Sequence, residues 1–218
     1  MGRRTAESYR KTTETEVRVR IDLDGTGRHA VDTGVGFFDH MLAQVARHGL
    51  VDLAVEARGD LHVDAHHTVE DVGIVLGQAL NKALGDGRGI RRYGHAAVPM
   101  DEALGVCTLD ISGRPLLVYR VDLPREQVGG FDTQLVEVFF QAVATHAGIT
   151  LHLGAPYGSN AHHLIEALFK SFGRALAAAV QIDPRVQDIP SSKGTLLGGG
   201  QDVQAGSDGR DGPEGRRA

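Results

Sequence analysis

The chain has 218 residues, 41 % of them hydrophobic and 23 % charged, with a mean hydropathy of -0.16; these values exclude a disordered, collagen-like or membrane-embedded protein. A net charge of -5 and a pI near 6.1 leave no general basic face for nucleic acid, and one cysteine, Cys107, excludes internal disulfides and thiolate metal cages. Eleven histidines mean that any metal would be held by imidazole and carboxylate.

In chain order, Val17, Val19, Ile21 and Leu23 alternate with Arg18, Arg20 and Asp22, the period of a strand with one buried face. Asp24-Gly25-Thr26-Gly27 then reads as a hairpin turn. Phe37, Met41 and Val45 give a helix over Gly36 to His48, and Leu50 to Ala57 alternates as a strand. Val69, Val72, Leu76, Leu80 and Leu84 mark a helix from His66, stopped by the glycine-rich Gly85 to Gly89. The second half repeats the order, with strands near Ala103 to Ile111 and Pro115 to Val121, a helix from Thr133 to His146, a strand at Ile149 to Leu153 and a helix from His162 to Val180. Each half thus reads strand, strand, helix, strand, helix, an α+β architecture in which helices back each sheet. Seven glycines and almost nothing apolar make residues 198–218 an expected disordered tail.

Self-similarity supports a tandem duplication with halves at 1–88 and 89–197. Ala65-His66-His67-Thr68-Val69-Glu70 recurs 96 residues later as Ala161-His162-His163-Leu164-Ile165-Glu166. On a helix, His66 and Glu70 share a face while His67 points about 100° away, so one motif can serve two metals. An isolated His-His pair would be an ordinary solvated helix end; its duplication with the same spacing to glutamate favours metal binding. His40, on the preceding helix, is a natural further ligand. The 98-residue offset that relates His48 to His146 places Val138 opposite His40, and valine cannot ligate; a differing site, or a substitute such as Glu137, His152 or water, is expected.

Cations and hydroxyls at Arg91-Arg92, Ser112-Gly113-Arg114, Lys170 and Ser191-Ser192-Lys193 suit a phosphate. Asp22-Leu23-Asp24-Gly25-Thr26 matches the nucleophile loop of haloacid-dehalogenase-type phosphatases, but that loop follows a buried parallel strand, and this one alternates with arginine.

Together, Arg10-Lys11-Thr12-Thr13-Glu14-Thr15, Phe38-Asp39-His40-Met41, Asp64 to Asp71, Met100-Asp101-Glu102-Ala103-Leu104, Ser112-Gly113-Arg114-Pro115, Asp132 to Glu137, His162 to Ala167 and Ser191-Ser192-Lys193-Gly194 resemble imidazoleglycerol-phosphate dehydratases over about residues 5–197. The resemblance implies a duplicated α+β fold of the ribosomal protein S5 domain 2 type, two Mn2+ ions per active site shared between subunits, and a cytoplasmic 24-subunit homo-oligomer that binds neither nucleic acid nor membrane. It implies dehydration of imidazoleglycerol phosphate to imidazole-acetol phosphate in histidine biosynthesis, with imidazolate character in the ring expelling the neighbouring hydroxyl. By position, His40, His66, His67, Glu70, His162, His163 and Glu166 match the metal set, and Glu14 matches the candidate acid/base beside His67, Glu70, His163 and Glu166. Arg92, Arg114, Lys170, Ser191, Ser192 and Lys193, with His40 and His48, match the substrate and phosphate contacts. Val138 departs from the family, which usually carries histidine or another polar residue there. A two-metal hydrolase and a non-catalytic metal-storage shell are the rival readings; the second leaves Glu14 and the basic residues without a purpose.

Overall fold

The computed structural model describes residues 2–124 and 126–196, so the tail expected to be disordered lies outside the described residues. The first half runs β1 (Thr5–Lys11), β2 (Thr15–Asp22), β3 (His29–Asp32), α1 (Gly36–Gly49), β4 (Asp52–Gly59) and α2 (His66–Leu84). The second runs β5 (Tyr93–Met100), β6 (Ala103–Asp110), β7 (Leu116–Arg120), a two-strand ribbon of β8 (Gln127–Val128) and β9 (Phe131–Asp132), then α3 (Leu135–Ala147), β10 (Thr150–Tyr157) and α4 (Ala161–Val180). The sheets have the corresponding orders β1-β2-β4-β3 and β5-β6-β10-β7. The α+β reading with two similar halves therefore holds.

Two details differ from the sequence reading. A strand heads each half, β1 and β5, that hydrophobic alternation does not reveal. In β1 the buried position is a serine, Ser8, and β5 turns Gly94 toward α4, where a Cβ would stand 1.9 Å from the Ala175 carbonyl oxygen. Asp24 to Gly27 is not a hairpin turn. Asp52 accepts from the backbone N–H groups of Thr26 and Arg28 at 2.8 and 3.0 Å, carrying the chain past the start of β4, so that β3 pairs in parallel with β4 and never with β2. Each sheet is consequently mixed, β7 and β10 forming the matching parallel pair. Asp22 to Thr26 does not follow a parallel strand as a phosphatase nucleophile loop would: β2 alternates as expected and pairs antiparallel with β1 and β4, and Asp24 is tied to Arg4.

Val17, Val19 and Ile21 of β2, with Leu53 and Val55 of β4, meet the apolar stripe of α2; Cys107, Leu109, Leu151 and Leu153 do the same under α4. The helices then cross between halves, α2 against α3 and α1 against α4, so that a single core results. Its centre is aromatic: Phe139 stacks on Phe169 at 5.4 Å, and Phe140 contacts Phe169 and Phe172 at 4.8 and 5.4 Å. Each such fully buried ring contributes on the order of 2 kcal/mol.

Close crossing depends on two glycines at the repeat offset. A Cβ on Gly77 of α2 would lie 2.9 Å from the Val143 carbonyl oxygen, and one on Gly173 of α4 would lie 2.8 Å from that of Val45. Backbone cannot yield as a side chain can, so Gly173→Ala should push α1 off α4 and destabilise the fold by about 1–3 kcal/mol. Thermal unfolding that shows no decrease would contradict this account of the crossing.

Candidate active site

The α1–α4 crossing brings His40 to the start of α4. Asn160 caps that helix, its Oδ1 accepting from the backbone N–H groups of His162 at 2.9 Å and His163 at 3.4 Å. One turn on, the buried Glu166 carboxylate has Oε2 at 3.1 Å from His162 Nε2 and 3.2 Å from His40 Nε2. Its other oxygen pairs with Lys170 Nζ at 2.7 Å. Burial opposes ionisation of Glu166, but the bonds from Lys170, His40 and His162 prevail and hold its pKa below the usual glutamate value. Donor atoms of His40, His162 and Glu166 all lie within 4.8 Å of one another, an arrangement that can hold a cation. Gln44 Nε2, 3.4 Å from His40 Nδ1, supports that ring from behind, and the Phe37 ring meets His162 edge-on.

His163 points elsewhere. Its Nδ1 lies 2.8 Å from Glu102 Oε2, and Glu102 Oε1 also accepts from the backbone N–H groups of Ser159 and Asn160. These bonds, that from His163 foremost, lower the Glu102 pKa to about 2, while Glu102 raises that of His163. With Nδ1 donating to a carboxylate, Nε2 keeps its lone pair for a metal. Asp60 performs the same task for His67, at 3.0 Å from its Nδ1. The sequence reading assigned no role to Glu102, Asp60 or Gln44. A signal existed for Glu102, which opens β6 as Glu14 opens β2; nothing in the sequence marked Asp60.

In the first half, His66, His67 and Glu70 begin α2 as expected, and Glu14 on the β1–β2 turn reaches within 3.9 Å of His67 Nδ1. Here, however, Glu70 is exposed, and Ile74 stands one turn on, where α4 has Lys170. Val138 and His66 line one cavity of about 530 Å³, Val138 supplying an apolar wall. Within the chain, neither Glu137 nor His152 lies beside Val138 in that cavity. Glu137 lines a different cavity with Tyr119 and Glu126, and His152 is exposed on the outer face of the second sheet, opposite Thr108 and Val118. Among the described residues the His40, His162 and Glu166 group is the one three-donor cluster.

The basic residues divide into two places. Arg92 is largely buried; Nε lies 2.7 Å from Asp110 Oδ1, Nη1 donates to the Pro190 carbonyl at 2.8 Å, and its backbone N–H bonds to Ala179 at the end of α4. Arg114 is exposed beside the same Asp110 at 3.5 Å. Ser191, Ser192 and Lys193 follow Pro190 in a turn closed by the Lys193 N–H on Ser191 Oγ. Lys170 is nine residues before Ala179 on α4, roughly 13 Å along the axis, and neighbours His48, whose pKa is lowered by burial and then by Lys170 and Arg174.

A family model described as imidazoleglycerol-phosphate dehydratase matches residues 33–176. The chain belongs to the imidazoleglycerol-phosphate dehydratase family. It is 60 % identical to the Symbiobacterium thermophilum imidazoleglycerol-phosphate dehydratase over 197 residues, 90 % of this chain and 95 % of that protein. The Jannaschia protein of the same name is 60 % identical over 194 residues, covering 88 % of this chain and all of its own. The crystal structure of the Staphylococcus aureus imidazoleglycerol-phosphate dehydratase superposes with a TM-score of 0.75 at 41 % identity, covering 82 % of this chain and 99 % of that one. As a member of this family the chain is an enzyme, a dehydratase and hence a hydro-lyase.

The Glu102–His163 pair gives this dehydratase-family fold a defined pH signature. Glu102, depressed to about 2, adds stability that is present above its unfolded value of 4.5 and is lost as pH falls toward 2; His163, raised above 6.5, adds stability that is present below 6.5 and is lost as pH rises through its folded value. Chemical denaturation of chelator-treated protein should therefore show the wild type exceeding Glu102→Gln most between about pH 4.5 and 6.5. A difference independent of pH would refute the pairing.

Proposed function

We propose that the protein is a Mn2+-dependent imidazoleglycerol-phosphate dehydratase of histidine biosynthesis that forms imidazole-acetol phosphate and water in the cytoplasm. Family membership supports the substrate, and the observation that carries the metal dependence is the three-donor cluster of His40, His162 and Glu166. Two nitrogens and a carboxylate oxygen with no thiolate suit manganese or iron. His40, His162 and Glu166 would hold one ion and His66 with Glu70 another, and His67 and His163, turned away from those faces with ring nitrogens that Asp60 and Glu102 leave free, would add donors to ions shared with neighbouring chains. Bound Mn2+ would supply Lewis-acid stabilisation of the electron-rich imidazole ring.

The chain's own groups account for the remainder. The ring's N–H proton and the hydroxyl on the adjoining carbon leave together as water, pushed out by the ring electrons, and the ring nitrogen regains a proton as the next carbon is deprotonated. Glu14 takes the proton from the next carbon, and the resulting enol becomes the ketone. Glu14 suits this role better than Glu102. Three hydrogen bonds hold Glu102 ionised down to about pH 2, making it a poor proton carrier, whereas Glu14 is 54 % exposed with His67 at 3.9 Å. Arg114, Arg92, Ser191, Ser192, Lys193, Lys170 and His48 would receive the phosphate. In one chain these groups lie at both the end and the middle of α4, which supports a homo-oligomer, by family resemblance a 24-mer, in which neighbouring chains complete each site.

Incubation of Mn2+-loaded protein with imidazoleglycerol phosphate should yield the ketone, seen as enolate absorbance after alkali; no product would refute the assignment. Arg114→Ala should raise KM about tenfold or more while leaving bound Mn2+ unchanged, the loss of one charge-assisted phosphate contact. A metal-storage shell would show no such dependence on substrate.

Val138 has a separate consequence. Dialysis against a weak chelator should strip Mn2+ in two phases, and Val138→His, which adds a donor to the cavity lined by His66, should slow the faster one. Equal, tight retention of both ions in the wild type would contradict it.

A further inference from the structure

The two halves present a glutamate at the same point of the same hairpin, Glu14 immediately before β2 and Glu102 immediately before β6, each beside the second histidine of its motif. Two glycines confirm the correspondence of their surroundings. A Cβ on Gly59 would meet Thr68 and Thr15, and one on Gly158 would meet Leu164 and Ala103, the residues at equivalent places in the repeat.

What differs is how each turn is fastened to its helix. In the second half the glutamate does it, since Glu102 spends its carboxylate on His163 and on the backbone at the start of α4. In the first half a separate group does it. Asp71 of α2, nearly buried, accepts from Thr15 Oγ1 with one oxygen and from Arg10 Nε at 2.9 Å with the other. Thr12 closes the turn from within, its Oγ1 accepting from the N–H groups of Glu14 at 3.1 Å and Thr15 at 3.0 Å. The second half has Val98, Ala103 and Ala167 at the positions of Arg10, Thr15 and Asp71, none of which can make this connection.

We infer that Asp71, acting through Thr15, is a positioning residue that fixes the β1–β2 turn against α2 and so leaves the Glu14 carboxylate free to transfer protons. The inference rests on the reading of Glu14 as the acid/base. Asp71 directly follows Glu70, so the same helical turn sets both the proposed metal-binding face and the distance from it to Glu14. Loss of the connection displaces the carboxylate without removing it, and a displacement of about 1 Å costs on the order of a hundredfold in rate.

Thr15→Val breaks the connection while keeping the Asp71–Arg10 pair, so no buried charge is stranded. It should lower kcat about 10- to 100-fold with KM changed less than about twofold. Thr15→Ser, which keeps the hydroxyl, should restore kcat, and Mn2+ content and thermal midpoint should stay near wild type in both. In a Glu14→Gln background, Thr15→Val should reduce the residual rate no further, because the two changes remove one function. Wild-type kcat in Thr15→Val with an impaired Glu14→Gln would overturn the positioning role while leaving Glu14 as acid/base. An undiminished effect of Thr15→Val in the Glu14→Gln background, or a loss of Mn2+ matching the loss of kcat, would overturn it in favour of general damage or a metal-site role. A fully active Glu14→Gln would instead remove the acid/base reading, and this inference with it.

Discussion

Glu166 is 5 % exposed yet ionised, because His40, His162 and Lys170 all direct nitrogen toward its two oxygens. A buried carboxylate without such partners would be neutral or expelled. One of the partners, His40, comes from the other half of the chain, so the charge is tolerable only where α1 crosses α4 closely, and that crossing requires the backbone contact at Gly173. Fold and site are therefore coupled: exchange of helices between halves closes the core and gathers the donors in one step.

The internal duplication provides two copies of this frame with different contents. At the crossing of α1 and α4 stand His40, Glu166 and Lys170; at that of α2 and α3 the same places hold Val138, an exposed Glu70 and Ile74. At the hairpins the inequality is reversed, with Glu102 bound on all sides and Glu14 left open. The observed division puts a preformed donor cluster at the α1–α4 crossing and, on the β1–β2 turn, a carboxylate that only His67 approaches, which suits a site made from complementary parts.

Much of the fold was legible. Helices α1, α2, α3 and α4 bury one continuous stripe each, so their apolar spacing reveals them to within a few residues, and β2 and β4 alternate because only one face of their sheet meets helices. β1 and β5 were illegible, since their inward residues are small or polar where a helix approaches closely. Strand pairing was illegible too: the course of residues 24–28 is set by Asp52, more than twenty residues on, and local turn chemistry pointed to the wrong partner.

The histidines follow the same division. The repeated His-His-x-x-Glu pattern and the 98-residue offset, both properties of the sequence, determined which side chains could act as donors and that one place, Val138, could not. Tertiary structure alone decided which of them meet. His40 reaches Glu166 across 126 residues, His152 lies on the outer face of its sheet away from Val138, and Arg92 is turned inward onto Asp110. Helical spacing fixes neighbours within a turn or two, whereas contact between distant elements depends on the crossing of packed helices and the order of strands, which sequence periodicity does not encode.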